Sequence, residues 1–240
     1  MDFSLTPLSD HAIVIELGTE IHPDIHQKIQ AITALLDASH LEWLIEYIPS
    51  FTSVTVFYDL VVAAKLSERD IQPYDFVYQQ LQKLLMNSLP PVNERSRIIQ
   101  IPVCYDEQFG PDLPFVAAHN NLTREEVINI HCSGRYIVYM IGFAPGFPYL
   151  GGMSKTISAP RKSVPRLQIP AGTVGIAGTQ TGIYPLETPG GWQLIGRTPI
   201  PLFQPMKQPP SLLRAGDRIH FTPITAEQFH EMEKNYDYSC

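Results

Sequence analysis

Hydrophobic residues along roughly the first ninety positions follow two periods. Residues 13–17 and 54–58 alternate apolar side chains with smaller or polar ones, which predicts two half-buried strands. Between them, residues 23–36 repeat isoleucine and leucine at helical spacing, behind a proline that suits the first turn of a helix. A strand over 44–48 and a helix over about 75–89 complete the series. The order strand, helix, two strands, helix is typical of a small α/β sandwich with helices on one face of the sheet.

A pair of prolines separates this region from the rest of the chain. Pro90 and Pro91 end the second predicted helix, and we interpret them, with Val92 and Asn93, as a domain linker. A chain of 240 residues is most simply two domains, although one large β domain is also permitted. We therefore predict an N-terminal α/β sandwich domain over residues 1–90 and a second domain over residues 91–240.

The second part has a mainly β pattern. Residues 97–103 predict a strand, and a capping-box spacing of Thr123 and Glu126 predicts a helix that begins near Arg124. Residues 136–143 are almost continuously apolar, which suits a strand buried on both faces. Between residues 142 and 216 lie 12 of the 22 prolines, too many for helices of useful length. Short strands that close into a barrel account for this pattern, so the predicted fold class is α+β.

Charge singles out one window of the chain. The whole chain carries 17 basic and 24 acidic residues, a net charge of −7. Residues 142–216 hold 12 of the 15 glycines, and their seven Lys or Arg residues face one acidic residue, Glu187. A positive segment on a negative scaffold favours an anionic small ligand, whereas the net charge argues against a nucleic-acid partner. We expect the chemistry of this protein in the window.

Composition also excludes several classes of protein. No apolar run approaches the roughly 18 residues of a membrane span, and the acidic N-terminus lacks the basic start of a signal peptide. We therefore expect a cytoplasmic protein without a membrane partner. The three cysteines lack C-x-x-C spacing, which argues against a disulfide framework or a zinc site. His22 and His26 have the spacing of a metal pair, but no third ligand follows, so we predict no metal site and a solvated helix start.

Aromatic and basic residues in the window are candidates for a binding site. The loop over 142–152 combines turn residues with aromatic side chains, a composition that builds rigid, shaped loops. Arg161 and Arg166 lie five residues apart on a segment stiffened by two prolines, so their guanidinium groups could converge on a carboxylate or phosphate. Solvated arginines explain the pair equally well. Trp192 follows a predicted hairpin turn, and a core position is favoured over a ligand platform.

Closely spaced glycines offer a second kind of anion site. The backbone amides of Gly172, Gly175 and Gly178 are free of bulky side chains and could approach a phosphate, although tight β-turns explain these glycines equally well. The sequence contains no G-x-x-x-x-G-K-[ST], no G-x-G-x-x-G and no G-x-S-x-G. It therefore predicts no self-contained phosphate loop, dinucleotide site or nucleophile elbow. His131 and Cys132 are neighbours on a predicted helix and point in different directions, so we interpret them as structural.

Five ordered motifs resemble one known family. They are GFAPGFPYLGG (142–152), PRKSVPR (160–166), IPAGTVGIAG (169–178), QTGIYP (180–185) and TPGGWQLIGRTP (188–199). Together they closely resemble the family of the 5-oxoprolinase B subunit and the kinase inhibitor KipI, also called allophanate hydrolase subunit 1-like. Five motifs in order are far more specific than one short pattern. The resemblance implies a small α/β domain followed by a cyclophilin-like β-barrel domain, in agreement with the periodicity.

The resemblance implies a subunit of ATP-dependent 5-oxoprolinase, which opens the lactam of 5-oxo-L-proline to L-glutamate with hydrolysis of ATP. Such a subunit would work with the A and C subunits of 5-oxoprolinase as partners and be inactive alone. ATP, with or without Mg²⁺, would be a co-substrate, and no prosthetic group is expected. Cationic and N–H groups would stabilise the transferred phosphoryl group. The candidate catalytic residues are Arg161, Arg166, Gln180 and Tyr184, and the candidate nucleotide-binding residues are Gly172, Gly175 and Gly178.

The same family implies a second class of function, an inhibitor that binds a sporulation histidine kinase and blocks its autophosphorylation. The candidate anchors for that partner, provided that they are exposed, are Phe143, Phe147, Tyr149 and Trp192. The two activities can coexist. We expect separable surfaces, so that loss of Arg161 or Arg166 abolishes lactam cleavage and spares kinase binding.

Overall fold

The structure, a computed structural model, describes residues 2–20, 22–86 and 97–237. Two compact units divide the chain, Met1–Arg95 and Ser96–Cys240. The predicted linker at residues 90–93 and the predicted boundary after residue 90 lie outside the described residues, so the domain limits stay a prediction. Across the described ranges, no helix is long and apolar enough to cross a membrane.

The first unit contains a four-stranded antiparallel sheet. Its elements are β1 (Ser4–Ser9), β2 (Ala12–Glu16), α1 (Pro23–Ala38), β3 (Leu44–Pro49), β4 (Ser53–Tyr58), α2 (Leu60–Leu66) and α3 (Pro73–Met86). The strands lie in the order β1-β2-β4-β3, and the apolar faces of α1 and α3 pack with β2 and β4 in one core. The predicted α/β sandwich is confirmed. The predicted end of α3 beyond Met86 lies outside the described residues.

Two elements of this unit, β1 and α2, could not be predicted from the hydrophobic pattern. β1 is an edge strand with mostly exposed residues, so it shows no alternation, and Pro7 is tolerated there because an edge strand has unpaired backbone positions. α2 spans only seven residues, too few to establish a helical period. Its start is fixed by the Asp59 side chain, which accepts hydrogen bonds from the amides of Val61 and Val62.

The second unit contains a closed barrel of seven strands. They are β5 (Ile98–Cys104), β6 (Tyr136–Ile141), β7 (Pro148–Gly151), β9 (Thr173–Ala177), β10 (Gln180–Ile183), β12 (Gln193–Arg197) and β13 (Arg218–Ile224). Around the barrel they lie in the order β10-β7-β6-β13-β5-β12-β9. A separate ribbon pairs β8 (Arg166–Ile169) with β11 (Thr188–Gly190). The helices are α4 (Leu113–His119), α5 (Arg124–Ser133) and α6 (Ala226–Asp237), with a 3₁₀ turn at Lys155–Ile157. The predicted barrel and α+β class are confirmed.

The predicted capping box and the predicted strand over residues 136–143 can be compared with the structure. The capping box is present, because Thr123 and Glu126 exchange hydrogen bonds at the start of α5. The predicted strand through residue 143 is too long, since β6 ends at Ile141. There the amide of Gly142 donates to the carbonyl of Phe147 and closes a loop. Phe143 lies in this loop with a left-handed φ of 70°.

The barrel wall has two different faces where β9 and β10 run side by side. Val174, Ile176 and Ile183 point into the main core of the barrel. The residues between them, Gly175 and Gly182, face the opposite side, because successive residues of a strand alternate between faces. A second apolar cluster packs on that side; its members are Phe147, Ile169, Ala177, Tyr184, Trp192 and Leu194. The outer face of the barrel therefore carries a small core of its own.

Candidate functional site

A pocket of about 280 Å³ opens beside this second cluster. Six residues singled out by the sequence line it: Phe143, Phe147, Tyr149, Arg161, Tyr184 and Trp192. Prolines and glycines at positions 165 and 189–191 complete the lining. Residues from three separate segments of the window therefore meet at one place.

The wall of the pocket is a set of aromatic rings centred on Phe147. Its ring makes edge-to-face contacts with Phe143, Tyr149, Tyr184 and Trp192 at centroid distances of 5.4, 5.0, 5.5 and 5.7 Å. Edge-to-face packing is the geometry that aromatic quadrupoles favour, so the wall is rigid. Phe147 and Trp192 are buried, whereas Phe143 is 67% exposed at the mouth. The candidate kinase anchors were Phe143, Phe147, Tyr149 and Trp192, on the condition that they are exposed. Of these four residues, only Phe143 is exposed.

The floor beneath the rings consists of two glycines. Gly175 and Gly182 are direct partners in the β9–β10 pair. A Cβ on Gly175 would lie 3.1 Å from Cβ of Trp192, and a Cβ on Gly182 would lie 3.1 Å from atoms of both Phe147 and Trp192. Packing of the aromatic rings therefore accounts for Gly175, which was a candidate for nucleotide binding.

The other two candidate nucleotide-binding glycines occupy turns. The amide of Gly172 donates to the carbonyl of Tyr184, and that of Gly178 donates to the carbonyl of Ala159, each at 2.7 Å. Both glycines have left-handed φ values, 80° and 59°. Their N–H groups are thus engaged within the protein, and the turn interpretation explains both residues. Gln180 begins β10 opposite Ala177 and does not line the pocket.

Tyr184 contributes a neutral hydroxyl to the pocket. Burial raises its pKa to about 12, although a backbone hydrogen bond from Trp192 and the charges of Arg161 and Arg166 act in the opposite direction. Gly190 makes room for this hydroxyl, since a Cβ there would lie 2.5 Å from the Tyr184 oxygen. At neutral pH the group is a hydrogen-bond donor and not a general base.

The two candidate arginines have different environments. Arg161 is exposed at the pocket and makes no hydrogen bond or ion pair with another described residue. Arg166 is already paired, because its Nη2 donates to Oδ1 of Asp112 at 2.8 Å. Its Nη1 is buried without a hydrogen-bond partner in the described part of the chain. Arg161 is therefore the cation that is available to a ligand.

Asp112 was not among the residues predicted from the sequence. Its buried carboxylate accepts hydrogen bonds from Arg166, from Lys162 at 3.4 Å and from the amide of Leu194 at 2.7 Å. Burial alone would raise the pKa of Asp112, but the bonds from Arg166 and Leu194 and the two cationic charges lower it below its usual value. In the sequence, Asp112 precedes Leu113 and Pro114, a position typical of a helix cap. No local pattern reveals its role.

We name residues 160–166 the arginine strap. Residues 191 and 193 hold it at two further points: the amide of Lys162 donates to the carbonyl of Gly191 at 2.7 Å, and the side chain of Gln193 donates to the carbonyl of Pro160 at 2.8 Å. Both points flank Arg161 in sequence. The strap is thus fastened along its length at the edge of the pocket.

The histidines noted in the sequence belong to the protein interior or to a helix start. His131 is fully buried and links Tyr105 to Thr181, which fits its structural interpretation. His26 is also buried, and burial lowers its pKa to about 4, so the expected solvated helix start is wrong for this residue. Within the described ranges, no three His, Cys, Asp or Glu side chains form a group that could hold a metal ion.

Comparison with known proteins identifies the family to which this chain belongs. The model of the family "Carboxyltransferase domain, subdomain C and D" matches residues 3–213, and the chain belongs to that family. The chain is 49% identical to the 5-oxoprolinase B subunit of Bacillus subtilis strain 168 over 95% of each chain. It is 40% identical to the protein of the same name from Escherichia coli O157:H7, over 90% of this chain and 94% of the other. It is a member of the 5-oxoprolinase B-subunit family.

Solved structures agree with this assignment. The crystal structure of TTHA0988 superposes with a TM-score of 0.75 at 34% identity, and the match covers 90% of this chain but only 40% of that longer one. The uncharacterized protein PH0987 from Pyrococcus horikoshii matches with a TM-score of 0.55 at 40% identity, over 94% of this chain and all of its own. The urea amidolyase of K. lactis, at 20% identity and a TM-score of 0.77, shares the fold; this chain matches 16% of its length. The fold therefore occurs both alone and within larger chains.

Proposed function

We propose that this chain is the B component of an ATP-dependent 5-oxoprolinase complex and that its aromatic pocket binds 5-oxo-L-proline. One observation carries the proposal: a single unpaired cation, Arg161, lies among the described residues at a small pocket with an apolar, aromatic wall. The names of the relatives support the same reaction. A compact ring bearing one carboxylate matches both features of the pocket.

Each part of the substrate has a candidate partner. The five-membered ring would lie against Phe147 and Trp192, whose edge-to-face packing leaves little freedom. The carboxylate would pair with the guanidinium of Arg161, which is planar and suits bidentate recognition. The hydroxyl of Tyr184, which is protonated at neutral pH, would donate a hydrogen bond to the lactam carbonyl oxygen. Arg166 would support this site from behind, since it is paired with Asp112.

The chemistry requires groups beyond those in this chain. In the scheme we propose, the lactam oxygen takes the γ-phosphoryl group of ATP and ADP leaves. Water then adds to the activated carbon, and the C–N bond breaks with protonation of nitrogen to give an acyl phosphate of glutamate. A second water hydrolyses this acyl phosphate to glutamate and inorganic phosphate. Among the described residues at and behind this pocket, Asp112 is engaged in ion pairs and Tyr184 is protonated, so neither is a ready general base. The A and C subunits would supply the base and the nucleotide site.

The rim of the pocket offers a surface for such a partner. Phe143 lines the pocket, Val164 precedes the lining residue Pro165, and Leu167 lies two residues further along. Phe143, Val164 and Leu167 are 67%, 75% and 88% exposed. Exposed apolar groups at a concave site, and next in sequence to its lining residues, are typical of a surface that another protein covers. We propose that the partner subunit closes the pocket from this side.

The kinase-inhibitor alternative stays a prediction. Its expected separate surface is not supported, because its candidate anchors and Arg161 line the same pocket. If the chain binds a kinase through Phe143, the kinase would compete with the partner subunit that closes the pocket. The alternative is tested by the same variants as the enzyme.

The experiment that tests the proposal measures glutamate release from 5-oxoproline and ATP, with the chain alone and with the A and C subunits added. We expect activity only in the mixture. Arg161→Gln should raise KM for 5-oxoproline by about tenfold or more, whereas Arg218→Gln, at an exposed arginine outside the pocket, should not. An Arg161→Gln complex with unchanged KM would refute the proposed site.

A further inference from the structure

We infer that Asp112 is a positioning residue for the pocket: its carboxylate fastens the arginine strap so that Arg161 is held at the pocket with its guanidinium group unpaired. The inference rests on the proposed function, in which Arg161 binds the substrate carboxylate. Asp112 itself does not line the pocket and touches no reacting atom. Its effect on the reaction would pass through the strap.

The carboxylate of Asp112 is fixed to the barrel before it meets the strap. Its Oδ2 accepts a hydrogen bond from the amide of Leu194 in β12 at 2.7 Å, and its own amide donates to the Leu194 carbonyl at 2.9 Å. This reciprocal pair leaves Oδ1 to face the strap, where it meets Nη2 of Arg166 at 2.8 Å and Nζ of Lys162 at 3.4 Å. A residue anchored on the barrel thus holds the strap at two points after Arg161, and the Gln193 bond to Pro160 holds it before Arg161.

Charge explains why one carboxylate matters here. Arg161, Lys162 and Arg166 place three positive charges within six residues, and like charges at such spacing repel one another. The only acidic residue of the 142–216 window, Glu187, accepts a hydrogen bond from Gln168 on the β8–β11 ribbon. Asp112, which comes from outside the window, pairs with two of the three cations. Arg161 is left as the one strap cation without a counter-charge among the described residues.

Asp217 provides a matched control. It is also a buried aspartate of the second unit, and it accepts hydrogen bonds from Nε of Arg97 and from the amide of Arg214, both at 2.9 Å. None of these residues lines the pocket or belongs to the strap. Loss of either carboxylate removes a buried ion pair, but only loss of Asp112 should alter the behaviour of Arg161.

The test is a double-mutant cycle in the complete complex with the A and C subunits, with KM and kcat for 5-oxoproline as readouts. We expect Asp112→Asn to raise KM by about tenfold with a smaller change in kcat. Arg161→Gln should then add little in the Asp112→Asn background, because the unfastened arginine has already lost its position. In the Asp217→Asn background, Arg161→Gln should keep its full effect.

The outcomes separate the inference from the proposed function. An Arg161→Gln complex with normal KM would overturn both. The inference fails if Arg161→Gln raises KM but the effects of Arg161→Gln and Asp112→Asn on KM multiply. It also fails if Asp217→Asn changes KM, and its coupling to Arg161→Gln, in the same way as Asp112→Asn. Either result would make Asp112 merely structural. Should Asp112→Asn not fold, Lys162→Met removes one fastening point at a partly exposed side chain. We then expect the effects of Lys162→Met and Arg161→Gln on KM to combine less than multiplicatively, with a smaller coupling than for Asp112→Asn. Strictly multiplicative effects would refute the inference.

Discussion

Gly175 and Gly182 lie directly opposite each other in the β9–β10 pair, and the Trp192 side chain packs over both. Neither position has room for a methyl group without displacing an aromatic ring of the pocket wall. The aromatic rings of the pocket wall can therefore pack closely on β9 and β10 because these two positions carry no side chain. This arrangement links a feature of the barrel to the geometry of the pocket.

Gly182→Ala should destabilise the second unit and disturb the pocket. Its Cβ would meet Phe147, Trp192 and the Pro148 carbonyl oxygen at 3.1 Å, so we expect a loss of about 1–3 kcal/mol and a higher KM for 5-oxoproline. Urea unfolding followed by Trp192 fluorescence in a Trp43→Phe background measures the first effect. Gly191→Ala is the control, because its Cβ would make only ordinary contacts from 3.6 Å outwards. Equal stability of the Gly182→Ala and Gly191→Ala proteins would contradict the packing argument.

Gly178→Asn distinguishes a turn glycine from a nucleotide-binding one. The position has a φ of 59° and open space around a Cβ, and asparagine tolerates this conformation. We expect a stability loss of at most about 1 kcal/mol and an unchanged KM for ATP in the complete complex. A rise in the KM for ATP of tenfold or more would restore the nucleotide-binding interpretation for this glycine.

Elements with a strong period could be predicted from the sequence, and short or exposed ones could not. The strand at 54–58 and the helix at 23–36 match β4 and α1, because each buries one regular face. The helix α4, seven residues long and apolar at most positions, has no period to distinguish it from a buried strand. The structure assigns it by its backbone hydrogen bonds, which the hydrophobic pattern does not encode.

The candidate site was predictable in its components but not in its assembly. Glycine, proline and aromatic motifs pointed to Phe143, Arg161 and Tyr184, and all three line the pocket. Their convergence depends on closure of the barrel, which brings distant segments together. Asp112 lies 54 residues before Arg166, and its function exists only through that tertiary contact. Long-range ion pairs of this kind have no local signature.

The buried His131 should make the stability of the second unit depend on pH. The Thr181 hydroxyl donates to the carbonyl of Gly175, so Thr181 accepts from Nε2–H of His131, and Nδ1 accepts from the hydroxyl of Tyr105. This network uses a neutral imidazole, and burial lowers the pKa of His131 from 6.5 to about 3. In the unfolded chain the group takes up a proton below its ordinary pKa, whereas the folded barrel excludes it. Stability is therefore lost as pH falls below about 6.5.

The measurement is the free energy of unfolding from urea titrations between about pH 7 and pH 5, with Trp192 fluorescence in the Trp43→Phe background. One excluded proton corresponds to a slope approaching about 1.4 kcal/mol per pH unit below pH 6.5. His131→Gln should flatten this slope, although the protein will be less stable. Tyr105→Phe is the control, since it removes one hydrogen bond and leaves the imidazole buried. A His131→Gln protein with the original slope would assign the pH dependence to other groups.

Phe143 should contribute to partner binding and little to the stability of the chain. It is 67% exposed and lies in a loop with a left-handed φ, so truncation removes little buried area. We expect Phe143→Ala to change the free energy of unfolding by less than about 0.5–1 kcal/mol and to make capture of the partner subunit about tenfold weaker. Met206→Ala is the matched control, because Met206 is 94% exposed and does not line the pocket. Capture is measured with immobilised partner subunit, and the histidine kinase is tested on the same variants. Loss of kinase binding with normal capture of the partner subunit would assign Phe143 to the inhibitor function and remove it from the proposed subunit surface.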